Sequence, residues 1–292
     1  MQVNPTEIKT SELHAYLLGA IAPRPICFAS TMDRDGRPNL SPFSFFNVFG
    51  SNPPTLIFSP SRRVRDNTTK HTLENVSATR EVVINVVSYS MVQQISLASC
   101  EYPAGVNEFE KAGFTALPSE KVKPFRVKES PVQLECVVKE IIATGQGGGA
   151  GNLVICEVVM LHIDESILDS NGKIDPHKID LVARMGGDYY CRASGNAVFE
   201  VPKPNTSLGI GVDALPLAIR NSHILSGNNL GQLGNVNSIP FIDPSYQDDH
   251  LKNIIQYYSI TPAEMEQELH YHAKKLLDEG KVDAAWQVLL SI

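Results

Sequence analysis

Residues 59–76 read SPSRRVRDNTTKHTLENV, which sets Arg62, Arg63 and Arg65 just ahead of Lys70 and Thr72 at what reads as a helix start. A helix start leaves backbone N–H groups without internal partners, and the helix dipole makes that end partly positive. Cations and a hydroxyl added there suit a phosphate group. The same residues also describe a surface helix capped by Thr72 with its cations in water, and this stretch alone favours the cap.

A second stretch, SPFSFFNVF from Ser41 to Phe49, sets Ser41, Ser44 and Asn47 among Phe43, Phe45, Phe46 and Phe49. A flat heteroaromatic ligand needs that mixture, apolar faces with a few polar groups at the edge. A barrel strand with aromatic core positions needs it equally. His162, followed by Asp164, is a lone strand histidine that gains interest only where the strand end meets a pocket. The run TGQGGGAG satisfies G-x-G-x-x-A at Gly145, Gly147 and Ala150, yet a strand-like NLVICEVV follows it. A dinucleotide fingerprint must open a helix, so the run reads as a flexible hairpin loop. His270 and His272 fall on different faces of a helix and read as solvated surface rather than a metal pair.

The elements that would carry these residues are mostly short strands. From Ile26 to about Ile163, ICFAST, NLSPFSFFNVF, TLIFS, EVVINVV, QLECVVKEIIAT and NLVICEVVMLHI are rich in β-branched and apolar residues, and Asp35-Gly36 marks a hairpin turn. Helical stretches are expected near Thr72–Thr79, near Met91–Ala98 and in NEFEKAG. Many strands with few helices between them indicate a mainly β, antiparallel barrel rather than a doubly wound sheet. Beyond residue 205 the chain turns rich in Gly, Asn and Pro, which predicts an irregular segment lying over another surface. Helices should follow: Leu251, Ile254, Ile255 and Tyr258 recur at helical spacing, and Thr261 to Glu264 form a capping box with Pro262 at the first position. Met265, Leu269, Ala273 and Leu276 would be the buried stripe.

The whole chain bounds its partners. It has 292 residues, 42% hydrophobic and 20% charged, with a net charge of −7. That charge argues against a nucleic-acid surface. No stretch has the length of a membrane span or the form of a signal peptide. Five scattered cysteines without C-x-x-C spacing fit reduced thiols in a cytoplasm. The three N-x-S/T tripeptides, at Asn67, Asn75 and Asn205, carry no weight without a secretory signal.

Taken in order, APRPICFASTMDRDGRPNLSPFSFFNVF, PPTLIFSPSRR, KHTLENV, EVVINVV, NEFEKAGFT, CEVVMLHID and RMGGDYY resemble the flavin-reductase-like family of FMN-binding split-barrel proteins, over roughly residues 20–195. That family includes flavoredoxin and the reductase components of two-component monooxygenases. The resemblance implies a homodimer of Greek-key split β-barrels, residues 1–205, with a C-terminal extension over 206–292, irregular and then helical. It implies FMN near the subunit interface. By the same matching, Lys70 and Thr72 hold the phosphate, in a frame that Asn75 and Val76 also fit and where His71 replaces an acidic residue. Ser59 and Arg62 or Arg63 look like further phosphate contacts, Arg24 and Pro25 stand at the barrel entrance, and Ser30, Thr31, Ser41, Pro42, Phe43 and Ser44 border the ring. His162 would help orient nicotinamide against flavin. Cys156 stands where the family often has Gly, which narrows that strand's approach to the ring.

The activity implied is an NADH- or NADPH-dependent flavin reductase in the cytoplasm. It would have a monooxygenase or another electron acceptor as partner, and no nucleic acid or membrane. Two other readings remain: a flavoredoxin-like electron carrier, and a non-catalytic flavin-binding protein.

Overall fold

A computed structural model describes residues 1–202 and 208–291. The chain divides into two compact units, Met1–Phe199 and Glu200–Ile292. The expected boundary at 205/206 and the tripeptide at Asn205 lie outside the described residues.

In the first unit the strands are β1 (Cys27–Met32), β2 (Pro38–Phe43), β3 (Phe46–Ser51), β4 (Pro54–Phe58), β5 (Glu81–Val86), β6 (Ala116–Leu117), β7 (Arg126–Val127), β8 (Val132–Ala143), β9 (Asn152–Ile163), β10 (Val182–Arg184) and β11 (Tyr190–Arg192). Helices α1 (Thr10–Ala20), α2 (His71–Thr79), α3 (Val92–Ala98) and α4 (Glu108–Ala112) accompany them. Seven strands form one antiparallel sheet in the order β2-β1-β5-β8-β9-β4-β3.

The stretch expected as one strand from Asn39 to Phe49 is in fact two. The chain breaks at Ser44–Phe45, so β2 and β3 become opposite edges of the sheet. A two-residue link cannot span more than about 10 Å, so the sheet must curl until its edges nearly meet. The rings of Phe43 on β2 and Phe58 on β4 lie 5.6 Å apart, which marks that closure. The result is a barrel left open along one seam.

Its interior is filled from alternate positions of the strands, including Cys27, Ala29, Phe58, Val82, Ile84, Cys136, Val154 and Cys156, with Leu73 and Val76 of α2 inserted among them. Cys156 points into this core with no exposure, and burial pushes its thiol up to about 12. A thiol held neutral at that depth packs as a small hydrophobe. On the opposite face of β1 and β2, Phe28 and Leu40 pack under α3 and α4 with Met91, Ile95 and Phe109.

The second unit is helical, with α5 (Leu217–Arg220), α6 (Gly227–Gly234), α7 (Asp249–Tyr257), α8 (Pro262–Asp278) and α9 (Val282–Leu289). Trp286 is fully buried among Leu233, Leu269, Ala273 and Leu277. Helix α6 lies in the segment expected to be irregular. Its glycines and asparagines are poor helix formers, but Ser226 and Asn229 form a capping box and Leu233 is fully buried. By contrast Thr261 makes no side-chain cap on α8. The expectation of solvated histidines is corrected here. His270 is 4% exposed, and the His272 ring pairs at 2.7 Å with Asp248, which caps the start of α7, a helix packed on α8.

Candidate functional site

Helix α2 begins at His71 with Lys70 as its N-cap, and no side chain caps it. Glutamate 74 and Leu73 donate their N–H groups to Lys70 O, whereas among the described residues those of His71 and Thr72 have no partner in the chain. The first turn therefore offers two free donors at the positive end of the helix. Lys70 reaches over the Phe43 ring, 5.6 Å from its centroid. Burial pulls its ammonium below the ordinary lysine value, Arg63 adds to that, and Glu101 opposes it. A bound anion would restore the lost stabilisation of that charge.

Thr72 is 1% exposed, so its role as a solvent-facing cap falls away. Its hydroxyl accepts from Asn39 Nδ2 at 2.9 Å, and Asn39 and Asn75 both donate to Thr31 Oγ1, at 3.2 and 3.1 Å. This network pins the start of α2 to β1 and β2. Asn39, Ser41 and Phe43 alternate on one face of β2 and so share the side that faces Lys70. Asn39, Ser41, Arg63, Lys70, Thr72 and Glu101 line one small cavity of about 30 Å³.

The loop that brings Arg63 is built by its own polar groups. Arg63 donates to Thr68 Oγ1 (2.8 Å), Thr69 O (2.6 Å) and Glu101 Oε1 (3.0 Å). Asp66 accepts from the Thr68 hydroxyl and backbone, which with Arg65 hold its carboxyl down at about 2. Arg62 is turned away from the cavity, with Nε and Nη2 on Asn67 at 2.6 Å each. Of the two arginines expected at a phosphate, Arg63 is the one beside Lys70.

The glycine run between β8 and β9 supports this loop rather than swinging free. A Cβ on Gly148 would meet Val64 O at 2.9 Å and Arg63 O at 3.0 Å, and Gly149 has φ +90°. Gly149 N donates to Arg62 O, and Asn67 Nδ2 donates to Gln146 O. The expected flexible hairpin is a clamp, because only bare backbone lets the two loops approach so closely.

The remaining expected residues sit elsewhere. Ser59 Oγ accepts from Asn152 N at 3.0 Å and fastens β4 to the start of β9. Arg24 is buried, with Nη1 on Leu18 O (2.6 Å) and Ile21 O (2.5 Å), Nη2 on Met185 O (2.9 Å) and Nε on Ser44 Oγ (3.3 Å). It satisfies the orphan carbonyls at the end of α1, which occupies its side chain and that of Ser44. Pro25 is exposed beside it. Ser30 and Pro42 project from the strand face opposite Thr31 and Phe43, and the Ser30 hydroxyl is fully buried with no partner. Thr31 is buried beneath the two asparagines rather than open to a ring.

His162 lies ten residues from Asn152 along β9, roughly 30 Å of extended strand. It does not pair with Asp164, whose carboxylate accepts from Ser166 N instead. Its Nε2 lies 2.6 Å from Glu135 Oε1. Glu135 has no exposure. Burial opposes its charge, but the N–H groups of Glu120, Lys121 and Val122 and the His162 ring outweigh that and leave the carboxyl below its ordinary value. His162 is therefore fixed in a structural pair away from the Lys70 cavity. Sequence reasoning missed Asn39, Glu101 and Gly148. The alternation of Asn39 with Ser41 and Phe43 could have found the first; Glu101 joins from another element and leaves no local signal.

Residues 19–177, more than half the chain, match the family described as flavin reductase like domain. An uncharacterized protein of Aquifex aeolicus is 38% identical over 65% of this chain and 94% of its own length. Among solved structures, nitrilotriacetate monooxygenase component B from Bacillus cereus is 29% identical, covering 69% of this chain and 98% of that one with a TM-score of 0.64. A protein of Shewanella frigidimarina assigned as a flavin reductase with a split-barrel domain is 27% identical over 70% and 99% of the two chains, with a TM-score of 0.59.

Proposed function

The chain belongs to the flavin reductase like family, and from that membership we propose that residues 1–205 form an FMN-binding oxidoreductase reduced by NADH or NADPH. One observation carries the cofactor assignment. Lys70, Arg63 and the N–H groups of His71 and Thr72, which have no partner among the described residues, converge on one cavity whose lining also includes Glu101 and Glu108. That donor set fits a phosphate. Bound FMN supplies a ring that takes a hydride from a nicotinamide and hands electrons onward. The protein's part is to bind and to orient. Lys70 and the start of α2 neutralise the phosphate, the asparagine network holds that helix start still, and Phe43 gives Lys70 an apolar floor. As an edge strand, β2 has backbone groups that β1 does not take, and of these the Leu40 N–H is held by Glu108 while Pro38 and Pro42 have none to offer. His162, held by Glu135, has no part in this binding or orientation.

A homodimer of Greek-key barrels is the proposed assembly. Toward the end of β9, beyond a bulge at Val159, Val159, Leu161 and Ile163 are 39%, 50% and 39% exposed, an apolar group that a second copy could cover. The likeness to a monooxygenase component supports an oxygenase or similar acceptor as partner. Five free cysteines support a reducing, cytoplasmic setting.

The test is the visible spectrum of the purified protein, followed by anaerobic NADH or NADPH. A flavin spectrum that bleaches promptly is the expected result. A flavin that only dithionite reduces would favour an electron carrier, and a protein that takes up no FMN would overturn the reading.

A further inference from the structure

The helical unit holds a cavity of about 600 Å³, with α8 on one side and α5 and the loop after it on the other. Leu217, Ala218 and Ile224 give it an apolar wall. The Ser222 hydroxyl fixes that loop by accepting from the N–H groups of Ile224 and Leu225, both at 3.2 Å. Facing the wall, Ala263, Glu266, Gln267, His270 and Tyr271 recur at helical spacing and so share one face of α8. Leu269, Ala273 and Leu277 turn instead to the core around Trp286. Leu217 and Tyr271 are 64% and 56% exposed, an apolar rim that the unit's own packing leaves uncovered.

Two polar groups on α8 mark what such a cavity takes. The His270 Nε2 is cut off from water and has no hydrogen-bond partner among the described residues. Buried polar atoms are ordinarily paired, so an orphan nitrogen on a residue that lines a cavity points to a ligand atom. Burial pulls the ring below the ordinary histidine value, with Glu266 opposing, so at neutral pH it is uncharged and offers a lone pair. Glu266 stands one turn before it, where side chains four apart are neighbours. It is the only carboxylate in the lining, and no lysine or arginine joins it. The pair thus presents acceptors without a cation, which repels an anion and suits a group with several N–H donors. Among the described residues no three metal-ligating groups stand together, so the donor set does not suit a metal ion.

We propose that this cavity is a binding site for a small organic primary amine, its ammonium held by Glu266 and His270 and its carbon body lying between Leu217, Ile224 and Tyr271. An ammonium brings three donors, enough for carboxylate and imidazole at once. Gln267 and Tyr271, both exposed, turn aside to admit it. The apolar wall selects against a bare ammonium ion or a fully polar polyamine, which would leave that wall in water. The site lies outside residues 19–177, so it belongs to this chain's helical unit rather than to the flavin reductase like family.

The full chain is titrated by calorimetry with phenylbutylamine, phenylbutanol and phenylbutyrate, which share one carbon skeleton and differ in charge. The amine should bind tightest, at about millimolar affinity or better, the alcohol more weakly and the acid not measurably. Glu266→Gln should weaken the amine about three- to tenfold and leave the alcohol unchanged. Glu264→Gln, at an exposed position on another face of α8, should change neither. Ala218→Phe, at an exposed position of the wall, should abolish binding of amine and alcohol while circular dichroism stays that of wild type. A protein that binds none of the three, or the acid as well as the amine, would overturn the inference. So would Glu266→Gln leaving the amine untouched or changing amine and alcohol by one factor, or a folded Ala218→Phe protein that binds the amine as wild type does.

Discussion

At the scale of single residues, the candidate site depends on a lysine whose charge the fold makes uncomfortable. Burial and Arg63 lower its pKa, and Glu101 only partly offsets them. A phosphate would therefore interact with a poorly solvated cation, where a charge-assisted contact is worth about 1.5–3 kcal/mol. Lys70→Ala should weaken FMN binding by about 10- to 100-fold while riboflavin affinity barely moves, as measured by titration. The sign with pH follows. The cation exists below its pKa, which lies beneath the ordinary lysine value of about 10.4, so FMN affinity should fall on raising pH before ordinary lysines titrate. Lys70→Arg should remove that alkaline loss. A Lys70→Ala protein that still prefers FMN to riboflavin as strongly as wild type would sink the assignment.

At the scale of elements, the arginine loop is placed by a hairpin that touches no ligand. The backbone of Gly148 rests against the carbonyls of Arg63 and Val64, neither of which can yield like a side-chain tip. Gly148→Ala should cost about 1–3 kcal/mol in thermal or urea unfolding and weaken FMN binding through displacement of Arg63. Gly147 has open space around it and no left-handed φ, so Gly147→Ala is the matched control and should be close to neutral. Equal behaviour of the two variants would show that the clamp does not matter. The break between β2 and β3 works at this scale too. It turns Asn39, Ser41 and Phe43 toward α2 and makes β2 an edge.

At the scale of the whole molecule, the exposed apolar residues at the end of β9 ask for a covering surface. Leu161, half exposed, lies opposite Leu134 of β8. The wild-type protein should sediment as a dimer at micromolar concentration, and Leu161→Glu should shift it toward monomer by burying a charge at the contact. A wild-type monomer that holds FMN would rule out the proposed assembly. The helical unit has its own core around Trp286, so substitutions on β9 should leave its helices in place.

Local pattern was enough for most of the strands and for α2, α7 and α8, because alternation and helical spacing are properties of neighbouring residues. The ordered stretches were enough for the family, and the SPSRRVR–KHT run was enough to raise an anion site at a helix start. What local pattern could not reach was which side chains face one another. Arg24, Arg62 and Ser59 carry the right chemistry for a phosphate, but their groups are taken by Ile21 O, Asn67 and Asn152 N. His162 and Glu135 are 27 residues apart and meet only through the register of β8 and β9. Glu101 reaches Arg63 across 38 residues. Sequence by itself determined the elements and the family of this protein. Only the tertiary structure decided which of its cations share one cavity, since that depends on contacts between segments that no local spacing encodes.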